Sequence, residues 1–157
     1  MTGPSEARTP LPGNEAQSNP TTNNSCPLLG DAQCGNAKDL SADEQSDLEN
    51  LTRVCKETFY CFDKILSYFK GNVPHAEATL RRFCGADDMQ SCFYLGMFDQ
   101  VTFRGRPQNL AKALALYNYA CRNGFANGCV RLAMMYDAGA DVTRDERTAA
   151  DYFHKAQ

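Results

Sequence analysis

Two cysteine pairs, Cys84 with Cys92 and Cys121 with Cys129, each enclose seven residues, and the second pair follows the first after thirty-seven residues. A spacing repeated in this way is a repeat in the chain. Laying the second copy under the first sets Leu95 on Leu132, Gly96 on Ala133, Met97 on Met134, Ala113 on Ala149, Leu116 on Tyr152, Tyr117 on Phe153 and Ala120 on Ala156. Apolar positions at helical spacing within a period of roughly thirty to forty residues define a stack of helix pairs. The expected fold class is all-α, an α/α solenoid of antiparallel helix pairs. Each cysteine pair falls between the end of one helix and the start of the next, so a disulfide there clamps two neighbours across a tight turn.

Composition narrows the function. The chain of 157 residues fits one domain, and no apolar run approaches the length of a membrane span. Sixteen basic against nineteen acidic residues give no electrostatic reason to expect a nucleic-acid or anionic-membrane partner. Eight cysteines at ordered spacings read as a disulfide framework of Cys26 to Cys34, Cys55 to Cys61, Cys84 to Cys92 and Cys121 to Cys129, formed in an oxidising compartment. Zinc fits less well, because structural sites prefer cysteines roughly two to four residues apart and His75 and His154 stand isolated. No charged-then-apolar leader opens the sequence. An oxidised framework therefore implies a leader or lipid anchor already removed, giving a periplasmic or secreted protein, or else entry into a space such as the mitochondrial intermembrane space.

Residues 1–40 hold five of the seven prolines and are dense in Ser, Thr, Asn and Gly, so they are expected to form a disordered or loop-like tether. Residues 41–157 are expected to form the repeat domain, with repeats at about 41–70, 74–101 and 108–138 and a closing helix at 144–157. Within it, Ser41 with Glu44 makes a capping box for a first helix ending at Cys55. A second helix is expected over 57–70, with Phe59, Phe62, Ile65, Leu66 and Phe69 on one stripe. Gly71-Asn72-Val73-Pro74 stops it and starts a third helix over 74–84. Further helices are expected over 88–101, 108–122, 127–138 and 144–157. Gln157 falls in the slot of the tying cysteine, so the array is expected to end there.

The residues Cys129, Leu132, Ala133, Tyr136, Gly139, Val142, Asp145, Ala149, Tyr152, Phe153 and Ala156 resemble the Sel-one-like repeat family, relatives of tetratricopeptide repeats, in its cysteine-rich exported branch. The resemblance covers about residues 55–157. Asp99 departs from an expected tyrosine, Asp141 from a loop glycine and Asn109 from a loop aspartate. The resemblance implies a tetratricopeptide-like superhelix that binds another protein in its concave groove, as an adaptor or as an immunity protein that silences a secreted toxin or effector. Some cysteine-rich relatives are linked to penicillin binding or hydrolysis, and Ser67-Tyr68-Phe69-Lys70 has the spacing of a penicillin-recognising nucleophile and its lysine. Here the serine sits near a helix end and no Lys-Thr-Gly accompanies it. A mitochondrial assembly factor is the other alternative. No catalytic residue, metal or cofactor is expected.

In such solenoids the first helix of each pair lines the concavity. Phe93, Met97 and Gln100, then Val130, Met134 and Asp137, are therefore expected to form a continuous partner-binding strip, extended by Phe62, Leu66 and Phe69. The alternative for Phe62 and Phe93 is that they cap the core, and for Met134 and Met135 that they pack within it.

Overall fold

The computed structural model describes residues 40–56, 61–101 and 107–157, and every secondary-structure element among them is a helix. Seven helices follow in order: α1 (Ala42–Cys55), α2 (Phe62–Tyr68), α3 (Val73–Gly85), α4 (Met89–Gln100), α5 (Leu110–Arg122), α6 (Ala126–Ala138) and α7 (Glu146–Lys155). The segment expected to be a tether, with Cys26 and Cys34, and residues 57–60 of the expected second helix lie outside the described residues.

Short polar side chains set most helix starts, because the first amides of a helix have no partner within it. Ser41 accepts from the Glu44 amide while the Glu44 carboxylate accepts from the Ser41 amide, completing the capping box. The side chains of Asn72, Asp88, Asn109 and Asp145 also accept from first-turn amides of α3, α4, α5 and α7, without the reciprocal bond. The last of these explains why α7 begins at Glu146 and not at the expected Arg144. Phe125, at the start of α6, makes no side-chain cap. Its ring packs on Phe93 of α4 instead, with centroids 5.5 Å apart.

The ends of α2, α3 and α5 share one turn. The amide of Gly71 reaches the carbonyl of Leu66, that of Asp88 reaches Phe83, and that of Phe125 reaches Ala120, at 2.7, 3.1 and 2.9 Å. This backward bond needs a left-handed residue just before the donor. Lys70, Asp87 and Gly124 take that conformation, with φ of 51°, 61° and 87°. The turn stops α2 at Tyr68, short of the expected Lys70. At Asp87 the side chain accepts a hydrogen bond from the Tyr119 hydroxyl at 3.0 Å, a partner that the glycine of the next copy cannot offer.

Disulfides cross two of these junctions, α3 to α4 and α5 to α6, and a third lies between α1 and α2. Cys84–Cys92 and Cys121–Cys129 join Cα atoms 4.6 and 4.7 Å apart, and Cys55–Cys61 ties α1 to α2 at 5.2 Å. All six sulfurs belong to buried residues. The return loops match as well, since the Asn109 amide bonds the Asp99 carbonyl and the Asp145 amide bonds the Tyr136 carbonyl.

Helix α4 lies at the centre, buried without interruption from Ser91 to Asp99. Gly96 makes this possible on one side, because a Cβ there would stand 2.8 Å from the Tyr117 ring of α5. Gly128 does the same for α6, where a Cβ would stand 2.8 Å from the Tyr117 carbonyl and 2.9 Å from the Cys121 amide. The N-terminal helix α1 leans on this body through the Glu44–Arg82 ion pair and through a hydrogen bond from Tyr68 to Asp47.

The clamped turn gives a direct test. Replacing Cys121 and Cys129 together by serine frees a loop of seven enclosed residues. The double variant is expected to unfold with a free energy lower by about 2 to 3 kcal/mol in the chain-entropy picture, measured by urea titration.

Candidate functional site

The expected strip divides between core and surface. Phe93 and Met97 are buried, at 1% and 8% exposure. The segment opening α6 and α6 itself reach the two ends of the α4 face that carries these residues: the Phe93 ring packs at a tilt on Phe125 as well as on Tyr117 of α5, with centroids 5.5 Å apart in each case, and Gln100 accepts from Arg131. Phe93 and Met97 therefore do not line an open concavity as expected, whereas Gln100 is half-buried in a hydrogen-bonded cluster where α4 meets α6. Phe69 is likewise buried, with ring edges toward Tyr68 and His75 at 5.1 Å each. Phe62 and Leu66 are half-buried, and the Phe62 ring lies 4.6 Å from that of Phe98. Val130 is half-buried, whereas Met134 and Asp137 are exposed and Met135 belongs to the core.

A polar cluster joins Gln100 to three residues outside the expected strip. The Gln100 side-chain oxygen accepts from Arg131 Nη2 at 2.7 Å, from Arg131 Nε at 3.0 Å and from the Tyr117 hydroxyl at 2.9 Å. Its amide nitrogen donates to Asp141 at 3.1 Å. One neutral side chain thus ties α4 to α5, α6 and the loop after α6. Tyr117 and Arg131 carry no sequence signal of this role, since their partner lies seventeen and thirty-one positions away. Burial, only partly offset by Arg131, pushes the Tyr117 hydroxyl up to about 12. Tyr119 is also raised to about 12, by burial first and then by Asp87. Asp99 sits buried beneath the cluster with a carboxylate oxygen 3.6 Å from the Lys112 ammonium. Its register partner Tyr136 stacks on Tyr152 at 5.9 Å, so an ion pair in one repeat replaces a ring stack in the next.

The chemistry-bearing residues stand apart. Ser67 is exposed in the last turn of α2, and Lys70 lies beyond the helix in a left-handed conformation, so the two do not share the helical register that a serine–lysine pair requires. His75 and His154 are exposed at the start of α3 and in the last turn of α7. Among the described residues no group of three His, Cys, Asp or Glu side chains could hold a metal ion. A crevice between α1 and the α3–α4 junction, lined by Leu48, Leu51, Ile65, Leu80, Ser91 and Tyr94, is the size of a water molecule rather than of a substrate.

Helix pairs stacked at a fixed register, with matching turns and buried ties, define an α-solenoid repeat protein. Residues 90–125 and 126–156 each match the model of the Sel1 repeat, so this stretch of the chain consists of Sel1-like repeats. A search of the curated proteins gave no match. Sel1 repeats are protein-interaction scaffolds, and no helix among the described residues is long and apolar enough to cross a membrane.

Two measurements check this site. Phe93→Ala is expected to lower the unfolding free energy by about 3 to 5 kcal/mol, while Met134→Ala stays within about 0.5 kcal/mol of the unsubstituted chain. The tyrosines predict alkaline behaviour. A folded-state value above the ordinary 10 means that the protonated phenol favours the folded chain, so the Tyr117 contribution is complete below pH 10 and is lost as pH rises through about 12. Ultraviolet phenolate titration should show one fewer late-titrating group in Tyr117→Phe.

Proposed function

We propose that the chain is a non-enzymatic scaffold that binds another protein, acting outside the cytoplasm as an adaptor or as an immunity protein that silences a secreted toxin or effector. The observation that supports this most directly is the clamped junction between repeats. The α3–α4 and α5–α6 joints each combine a backbone turn with a buried disulfide, and the latter adds the close approach at Gly128 and the Gln100 cluster. A surface held in this way needs little ordering when a partner docks, and that ordering is a large part of what opposes association. On this reading the edge formed by Gln100, Arg131 and Asp141 offers polar contacts, and half-buried Phe62 and Leu66 offer apolar ones.

The buried disulfides suit an oxidising compartment, and we assign the protein to the periplasm or the exterior. Affinity capture from the envelope fraction of the source organism tests the reading. A single protein should co-purify and re-form a stoichiometric complex from purified components. Failure to enrich any protein over a bare matrix, or turnover of nitrocefin by the purified chain, would overturn it.

A further inference from the structure

The two large apolar side chains that stand exposed among the described residues, Met134 at 39% and Phe153 at 42%, both belong to the last repeat. Their register partners one repeat earlier are Met97, at 8%, and Tyr117, fully buried. Val130 and Phe93 repeat the contrast, half-buried against buried. What differs is the cover. Over the earlier repeat lies α6, and nothing among the described residues lies in the same place over α6 and α7.

The way α6 fills its place can be read residue by residue. Phe125 packs on Phe93, Gly128 approaches the backbone of Tyr117 and Cys121, and Arg131 bonds Gln100. These three contacts recur every three residues, so they lie along one side of the helix. At about 100° per residue, Val130, Met134 and Asp137 fall together on roughly the opposite side of α6, where they continue the pattern outward.

We propose that Val130, Met134, Asp137 and Phe153 form a docking groove for a helix from another protein, seated as α6 is seated on α4 and α5. The occupant is defined by the interface it continues. It carries a large apolar residue, then a glycine or alanine three positions on, then an arginine or lysine three positions further, because the exposed carboxylate of Asp137 stands in the register of the Gln100 amide. Gln157 occupies the slot of Cys121, so no disulfide ties this helix and the association is reversible. The groove faces away from the Gln100–Arg131 edge, so the inference survives if that edge binds nothing.

The probe is a synthetic peptide with the sequence of Phe125–Ala138 carrying Cys129→Ser, held helical by a lactam bridge and verified by circular dichroism. Fluorescence anisotropy should show saturable binding to the full chain. Met134→Ser or Phe153→Ser in the chain should weaken it by about ten-fold or more without lowering the melting temperature. Asp137→Lys should weaken it too, and a peptide with Arg131→Glu should restore binding to that variant. No saturable binding by a helical peptide, or binding indifferent to these substitutions, overturns the proposal. Sedimentation that shows the chain pairing with itself through Phe153 overturns it in favour of a second copy as the occupant.

Discussion

At the junctions from α3 to α4 and from α5 to α6, an amide just past the helix end bonds a carbonyl five residues back, and a disulfide crosses the same turn. The bond fixes the direction in which the chain leaves the helix, and the disulfide fixes how closely the next helix returns. A single helix pair buries little apolar surface, and each repeat of a solenoid depends on its neighbours for a core. The consequence appears in α4, buried along nine consecutive positions from Ser91 to Asp99 because clamped neighbours press on it from both sides.

Close approach then dictates residue size. Gly96 and Gly128 stand where a methyl group would meet Tyr117 or the α5 backbone at 2.8 Å. In the last repeat Ala133 replaces Gly96 in register and Phe153 replaces Tyr117, and Phe153 stands out from the surface while Tyr117 is buried. Across one step of the register the same position thus passes from a filled joint to an exposed ring.

The helices were legible in the sequence because their signals are local. Ser41 with Glu44, Asn72 before Pro74, and Asp145 act within one turn, and the cysteine spacing revealed the period directly. The face assignment of Phe93 and Met97 was not legible. Periodicity states which residues share a side of a helix, and it grouped Phe93, Met97 and Gln100 correctly, but it cannot state what that side meets. In α4 the ambiguity is complete, since apolar residues surround the helix and leave no polar face to mark solvent. The cluster of Gln100, Tyr117, Arg131 and Asp141 was hidden for a related reason, because its members come from four separate segments and acquire partners only when the repeats stack.

Register comparison supplies what periodicity lacks. A position buried in one copy and exposed in the next, with the same kind of side chain in both, has kept its chemistry while losing its neighbour. Met97 and Met134 are such a pair: the side chain is identical, and exposure rises from 8% to 39%. An exposed methionine taken singly carries no message, since apolar atoms make up much of any protein surface. Here the preceding repeat displays the partner that the position was shaped to meet, down to the glycine that lets the backbones approach. A helix entering beside Met134 would bury Phe153 as α6 buries Tyr117, and it would meet Asp137 where α6 meets Gln100. A repeat array therefore carries within itself a template for the next surface it can bind, and the uncovered repeat is where that template remains unused.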